Sequence, residues 1–291
     1  MIIMSAPLGV HLQVGEGADA TDHRRQLVEK AATMEVNAVT ISSLPADWTD
    51  DDAREARSFL DENGLRVGEF TGFYKGTRPW GGLGGYDRDD HKYTLDLYRR
   101  QLRHGRILGA HFVGFGLLAG RGTPAMWSDE VWASCVDGVR ELVELAEEAE
   151  MDVAGHPHIQ SPLNSVERYK QLFDAVPSPR LKILIDPVNL VWPHLIYRTT
   201  ELVNEIFDEL GGYITGIHAK DVTMSGGGKI IAHVDEAVPG TGTMDYHTIL
   251  RRLGELDHDV TLFAEHFPYA ETIQGQQYIR HVAREVDVDV N

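Results

Sequence analysis

The stretch Leu181-Lys-Ile-Leu-Ile-Asp186 is a short apolar run that ends in a carboxylate. A second run, Tyr213-Ile-Thr-Gly-Ile-His218, has the same form and ends in an imidazole. Strands that are buried on both faces read as nearly continuous apolar runs, and in parallel barrels the polar residues at the strand ends form the rim of the active site. The two stretches therefore predict parallel strands that deliver side chains to one site.

The same rhythm extends over the whole chain, because short apolar runs alternate with amphipathic stretches eight times. This alternation predicts parallel strands joined by crossover helices. No linker rich in Gly and Ser interrupts it, so we predict one closed (β/α)8 TIM barrel formed by residues 1–291, rather than a doubly wound open sheet. The predicted strands are residues 8–14, 38–44, 66–73, 111–117, 152–158, 181–186, 213–219 and 260–265, and the helices begin near Asp19, Thr49, Asp89, Ser128, Ser165, Thr199, Met244 and Glu271.

Composition narrows the class of protein. The formal net charge of −18 opposes binding to nucleic acid and to anionic membrane surfaces. No run approaches the roughly 18 apolar residues of a membrane-spanning helix, and the first residues lack the basic segment of a signal peptide. Cys135 is the single cysteine, with apolar neighbours at helical spacing, so we expect it to be buried and inert. A cytoplasmic protein without disulfides is the simplest interpretation.

Four predicted strands end in residues that bind metals. The fifth ends in His156-Pro-His158, the sixth in Asp186, the seventh in His218 and the eighth in Glu265. Each alone has a structural alternative, as a turn residue, a core histidine or a rim salt-bridge partner, but four successive strand ends make coincidence less plausible. Two imidazoles and two carboxylates favour Mn²⁺, Zn²⁺, Fe²⁺, Co²⁺ or Ni²⁺ over Ca²⁺. We therefore predict a divalent metal site, with Mn²⁺ as the first candidate.

The predicted loops supply further candidates. Residues 74–90 and 221–243 are rich in Gly and follow strands, so we expect flexible lid segments rather than phosphate cradles. Trp80, Trp127 and Trp192 lie in loops where an indole would stack on a sugar face, or alternatively anchor a lid. Lys220 either pairs with the adjacent Asp221 or neutralises an enolate intermediate.

The second half of the chain contains four short motifs, which are Leu184-Ile-Asp-Pro-Val-Asn189, Ile217-His-Ala-Lys-Asp221, Val238-Pro-Gly-Thr-Gly242 and Phe263-Ala-Glu-His266. In this order they resemble the xylose-isomerase-like barrels, a family of sugar phosphate isomerases and epimerases that includes ketose 3-epimerases and endonuclease IV. The resemblance implies that Asp186, His218 and Glu265 bind the metal. It also implies a small-molecule sugar or glycoside substrate and a homo-oligomer, in some relatives with a second subunit.

The sequence departs from the family pattern at positions that matter for proton transfer. The family usually has a glutamate on strand five, where this chain has His156, and a histidine three residues after the strand-six aspartate, where it has Asn189. The arginine that many epimerases carry after the strand-seven histidine is also missing. We assign Asn189 to substrate binding.

These departures leave Glu265 as the one carboxylate of the usual pair of acid/base groups, so we assign the second role, that of a base, to His158. A base on one side and an acid on the other fit elimination from a keto-sugar or an oxidised glycoside through an enediolate. The resemblance extends to relatives that dehydrate inososes or cleave C-glycosides. A ketose 3-epimerase or sugar isomerase is the first alternative, and a non-catalytic sugar-binding subunit is the second.

Overall fold

The structure is a computed structural model that describes residues 1–6, 18–74, 83–84, 88–119, 122–225 and 233–291. Eight parallel strands close into a barrel, and helices connect successive strands, as predicted. Around the barrel the order is β1, β2, β3, β4, β5, β6, β7 and β10, with β10 returning to β1. These strands are β1 (Ile2–Ala6), β2 (Ala38–Leu44), β3 (Arg66–Tyr74), β4 (Phe112–Gly116), β5 (Val153–His156), β6 (Leu181–Ile185), β7 (Ile214–Ala219) and β10 (Val260–Ala264).

The helices lie outside the barrel and bury one apolar face each. Ser128 caps the helix that begins at Asp129, because its side chain accepts a hydrogen bond from the Val131 backbone N–H. Cys135 lies on the buried face of that helix, as expected. Among the described helices none is long and apolar enough to cross a membrane. The helices are α1 (Ala18–Thr33), α2 (Asp50–Glu62), α3 (Arg88–Leu108), α4 (Asp129–Glu148), α5 (Val166–Ala175), α6 (Thr199–Leu210), α7 (Tyr246–Gly254) and α8 (Tyr269–Glu285).

The first strand is not where the sequence pattern placed it. The barrel position between β10 and β2 is filled by Ile2–Ala6, whereas the predicted strand at residues 8–14 lies outside the described residues. Ile2 pairs with Val260 and Ser5 pairs with Phe263, which fixes the register. The apolar run at the start of the chain is thus a structural strand, and its hydrogen bonds come entirely from distant parts of the sequence.

The interior of the barrel is filled in layers. A separate apolar cluster of Phe112, Ala154, Leu184 and Phe263, one residue from each of four strands, occupies the middle. Gly216 allows this packing, because a Cβ there would lie 2.5 Å from the Phe112 ring. The missing side chain at position 216 thus leaves room for the aromatic ring in the barrel interior.

Residues 221–243, predicted to be a flexible lid, instead contain an antiparallel hairpin. Its strands are β8 (Asp221–Ser225) and β9 (His233–Ala237), and residues 226–232 between them lie outside the described part of the chain. The other predicted lid, residues 74–90, falls largely outside it as well. The glycines of this segment suggested a flexible loop, although the residues on either side of them form two paired strands.

Asp221 holds the hairpin to the barrel. Its two carboxylate oxygens accept four backbone hydrogen bonds of 2.8 to 2.9 Å, from Val222, Gly240, Gly242 and Met244. A side chain at position 242 would collide with the Asp221 carboxylate. Asp221 is thus fully engaged by backbone groups, and the hairpin that it anchors has a defined position beside the barrel mouth.

Candidate metal centre and active site

The structure brings the four predicted ligands together. His156 ends β5, Asp186 follows β6, His218 lies near the end of β7, and Glu265 follows β10. These four strands are neighbours in the barrel, so their carboxyl ends meet at one side of the mouth. Each residue contributes one donor atom, and the four donor atoms lie within 4.8 Å of one another.

The four donor atoms are buried. They are His156 Nε2, Asp186 Oδ2, His218 Nδ1 and Glu265 Oε2. They contact one another, with His218 Nδ1 2.9 Å from Glu265 Oε2 and His156 Nε2 3.5 Å from Asp186 Oδ2. Charged groups are buried at a cost unless they are paired or bind a metal. Two imidazoles and two carboxylates that converge from four strands fit a divalent cation with mixed nitrogen and oxygen ligands.

A buried carboxylate orients His218. Glu69 on β3 reaches across the barrel, and its Oε2 lies 3.3 Å from His218 Nε2. A hydrogen bond at Nε2 leaves Nδ1 as the nitrogen that can bind a cation, which is the usual arrangement around metal-binding histidines. Sequence reasoning missed Glu69. The signal for it was an acidic residue inside an otherwise apolar strand.

The electrostatics of the cluster favour charged groups. Burial alone raises the pKa of the Asp186 carboxyl, but the adjacent Lys220 ammonium and His156 outweigh this effect and hold its pKa at about 2. Burial likewise opposes ionisation of Glu265, yet His218 keeps its pKa well below the usual range. For His218, burial lowers the pKa, but Glu265 and Glu69 raise it to about 10. The site therefore attracts positive charge strongly.

Lys220 lies inside this cluster rather than beside Asp221. Its side chain is fully buried, and Nζ lies 2.7 Å from Asp186 Oδ2 and 3.1 Å from Glu265 Oε2. It also donates hydrogen bonds to Glu236 Oε1 at 2.9 Å and to Asn189 Oδ1 at 3.3 Å. Of the two roles predicted for Lys220, pairing with Asp221 is therefore wrong.

Glu236 and His266 form a second pair at the rim, which the sequence pattern did not reveal. Glu236 comes from β9 of the hairpin, and its Oε2 lies 3.1 Å from His266 Nδ1. His266 Nε2 lies 3.4 Å from Glu265 Oε1, the carboxylate oxygen that is outside the cluster. His266 has a φ of 69°, which is uncommon for a residue other than glycine and directs its ring toward both carboxylates.

The cluster opens into a cavity of about 480 Å³. His158 lines this cavity, as do Asn189 and Lys220. The Gln160 backbone N–H donates to His158 Nδ1 at 3.0 Å, so the neutral ring carries its proton on Nε2. The role of His158 in proton transfer stays a prediction.

The remaining predicted substrate contacts have mixed outcomes. Asn189 lines the cavity, but its amide also donates to the Pro157 carbonyl at 3.1 Å, which ties the loops after β5 and β6 together. Trp127 and Trp192 do not line the cavity; their ring centroids lie 6.0 Å apart, and Trp127 is half exposed. Trp80 lies outside the described residues. Sugar stacking by these indoles stays a prediction.

Fold and site together define a (β/α)8 barrel with a two-histidine, two-carboxylate cluster at the carboxyl ends of its strands. The family profile described as xylose isomerase-like TIM barrel matches residues 28–283. The chain therefore belongs to the xylose isomerase-like TIM barrel family, which confirms the resemblance noted in the sequence.

Curated relatives are inosose dehydratases. The chain is 22% identical over 182 residues to the inosose dehydratase of Clostridium botulinum strain Eklund 17B, covering 54% of this chain and 56% of the relative. It is 24% identical over 174 residues to that of Geobacillus thermodenitrificans, covering 53% and 56%. The chain thus spans little more than half the length of these curated relatives.

Solved structures resemble the whole barrel. A xylose isomerase-like TIM barrel protein from Mycobacterium smegmatis in complex with magnesium has a TM-score of 0.72 at 15% identity, covering 98% of this chain and 97% of the neighbour. The 3-keto-D-glucoside 4-epimerase of E. coli has a TM-score of 0.66 at 16% identity, covering 96% and 98%. D-Psicose 3-epimerase of Clostridium cellulolyticum has a TM-score of 0.65 at 14% identity, covering 98% of each chain. These likenesses support the fold.

Proposed function

We propose that this chain is a divalent-metal-dependent enzyme that carries out elimination on a keto-sugar or an oxidised glycoside, as a dehydratase or a deglycosylating lyase. The observation that carries the proposal is the convergence of four buried donor atoms on a cavity that also contains proton-transfer groups. The inosose dehydratases among the relatives support the choice of an inosose as the first substrate to test.

The residues that would hold the metal are His156, Asp186, His218 and Glu265. A divalent ion bound by them would act as a Lewis acid that polarises a substrate carbonyl and acidifies the neighbouring C–H bond. We propose Mn²⁺, with Zn²⁺, Fe²⁺, Co²⁺ or Ni²⁺ as alternatives that mixed nitrogen and oxygen ligands also accept.

The chain's own groups supply the proton transfers. Glu265 keeps Oε1 outside the cluster, so this oxygen can remove the acidic C–H proton, and the C–H electron pair passes into the enediolate. His158 lines the same cavity, and its Nδ1 accepts a hydrogen bond from the Gln160 N–H. When the enediolate collapses and the bond to the β-substituent breaks, His158 can donate a hydrogen bond to the leaving oxygen, and the proton taken by Glu265 passes to that oxygen, which regenerates the carboxylate. The products are an unsaturated ketone and either water or a free aglycone.

Lys220 contributes charge to the same site. Its ammonium lies among Asp186, Glu265 and Glu236, and Lys220 lines the cavity. A positive charge near a developing enediolate lowers the energy of that intermediate. This is the second of the two roles predicted for Lys220 from the sequence.

The experiment that tests the proposal follows an inosose and a 3-keto-glucoside by NMR in deuterated water with Mn²⁺ present. We expect loss of water or release of the aglycone, and about a 100-fold slower reaction for Glu265→Gln. His194→Gln is a matched control, because His194 is exposed in the loop after β6 and does not line the cavity. Absence of turnover of every keto-sugar by a metal-loaded wild type would contradict the proposal and favour a sugar-binding subunit.

Epimerisation is the second candidate, favoured by Glu236. Its carboxylate at the rim gives the cavity a further proton-transfer group besides Glu265, and epimerisation requires one on each face of the substrate. The epimerases among the structural neighbours have the same fold. In the NMR experiment, deuterium incorporation with inverted stereochemistry and no released fragment would favour this reaction. The homo-oligomer, the second subunit and the cytoplasmic location stay predictions.

A further inference from the structure

We infer that the Lys220 ammonium competes with the metal ion for two carboxylate oxygens. When the ion binds, the ammonium releases these oxygens by shifting toward Glu236. This inference rests on the metal site of the proposed function and adds a role for two residues that bind no metal themselves. It makes metal affinity a property that Lys220 and Glu236 set together.

The competition follows from the contacts of the ammonium. Lys220 Nζ lies 2.7 Å from Asp186 Oδ2 and 3.1 Å from Glu265 Oε2. These are two of the four donor atoms of the candidate metal centre. A divalent ion bonded to the same oxygens at about 2.1 Å would lie within about 5 Å of the ammonium. Two cations at that separation in a buried site repel each other strongly.

The ammonium has a second set of partners on the side of the rim. Nζ donates to Glu236 Oε1 at 2.9 Å and to Asn189 Oδ1 at 3.3 Å. The Glu236 side chain is 40% exposed, and its other oxygen is beside His266. Because a lysine ammonium sits on a flexible four-carbon stem, small torsional changes are enough for it to keep the rim partners and leave the cluster.

The backbone of Lys220 is fixed separately. The Tyr246 hydroxyl donates to the Lys220 carbonyl at 2.8 Å, and both residues are buried. The position of the Lys220 backbone, just after β7, therefore does not depend on the ion pairs of the side chain. This separation allows the side chain to shift without disturbing His218, which lies two residues earlier in β7.

The test is a calorimetric titration of the full chain, stripped with a chelator, with Mn²⁺. We expect Lys220→Met to bind Mn²⁺ about 10- to 100-fold more tightly than wild type, because a competing charge is removed. Glu236→Gln should bind it about 3- to 10-fold more weakly, because the ammonium loses its alternative partner. In the double variant the effect of Glu236→Gln should vanish, since Glu236 acts only through Lys220. Lys170→Met is the control, because it removes one exposed positive charge from α5.

Several outcomes separate the possibilities. Equal or weaker binding by Lys220→Met overturns the inference while leaving the metal site intact, and so does a Glu236→Gln effect that persists in the double variant. No binding by any variant overturns the metal site itself. If Lys220→Met is unstable without metal, its melting temperature with and without Mn²⁺ replaces the titration. A larger increase on adding Mn²⁺ than in wild type supports the inference, and an equal or smaller one overturns it.

Discussion

Two histidines at opposite ends of the barrel have opposite environments. His111, just before β4, lies between two hydroxyls, with Nδ1 3.1 Å from Thr261 Oγ1 and Nε2 3.2 Å from Thr215 Oγ1. His218, near the end of β7, lies between the carboxylates of Glu69 and Glu265. Burial lowers the pKa of His111, whereas the carboxylates raise that of His218 to about 10.

The difference shows how this fold divides its tasks. At the amino ends of the strands, both ring nitrogens of His111 contact neutral hydroxyl groups, and the residue has a structural role. At the carboxyl ends, buried imidazole, carboxylate and ammonium groups are concentrated, and burying these charges costs folding free energy. Family barrels place their chemistry at this second end. Substitutions at the two ends should therefore affect different measurements.

The largest effect is expected for His218→Ala. Removing one of the four donors should lower turnover of the keto-sugar by at least about 100-fold, because metal affinity and orientation are both lost. Turnover rates at saturating Mn²⁺ measure this effect, and circular dichroism checks that the fold is retained. A variant with wild-type turnover would show that His218 is a structural histidine like His111.

The second-largest effect is expected for Glu69→Leu, which should bind Mn²⁺ about 10- to 100-fold more weakly than wild type. The Nε2–H of His218 loses its acceptor in this variant, and the ring loses its orientation. Glu69→Gln keeps an acceptor oxygen and should recover part of the affinity. Calorimetric titration with Mn²⁺ measures both variants. Equal affinities for the leucine and glutamine variants would argue that Glu69 does not orient the ring.

Acid should destabilise the chain through histidines that are kept neutral. Burial lowers the pKa of His104 to about 4 and also lowers that of His111. As the pH falls below about 6.5, the unfolded chain binds protons at these residues before the folded chain does, so the free energy of unfolding falls. Between pH 6.5 and 4, His104 alone should account for about 3 kcal/mol.

Urea unfolding of chelator-treated protein at several pH values measures this dependence. His104→Gln should show a flatter profile than wild type, and above pH 7 the two profiles should run parallel. Parallel profiles over the whole range from pH 7 to 4 would mean that the pKa of His104 is the same in the folded and the unfolded protein.

The smallest effect is expected for Thr261→Val, which removes one partner of His111 at the amino end of the barrel. The loss of this hydrogen bond should lower the free energy of unfolding by about 1 to 3 kcal/mol. Mn²⁺ affinity should remain that of the wild type, because the apolar layer of Phe112, Leu184 and Phe263 separates the two ends. Urea unfolding and calorimetry on the same preparation test both statements, and a coupled loss of metal affinity would contradict the division between the ends.

Much of the carboxyl end was predictable from the sequence, because its residues end strands. His156, Asp186, His218 and Glu265 each follow an apolar run, and parallel strands in a barrel bring such positions together. The strand Ile2–Ala6 was not predicted, because its apolar run is short.

Other parts of the site depend on contacts that are remote in sequence. Glu69 meets His218 only because the barrel closes, and the two residues are 149 positions apart. Glu236 lies in a segment whose glycines suggested a flexible loop, although it pairs as a hairpin. The tautomer of His158 depends on one backbone N–H, at Gln160. None of these features has a periodic signature in the sequence.

The most direct test of the central claim is elemental analysis of the purified chain after treatment with a chelator, reloading with Mn²⁺ and gel filtration. The four-residue cluster predicts about one ion per wild-type chain and less than about a tenth of that for Asp186→Ala. Thr261→Val, altered at the other end of the barrel, should retain the wild-type content. Stoichiometric metal in Asp186→Ala, or none in the wild type, would contradict the account.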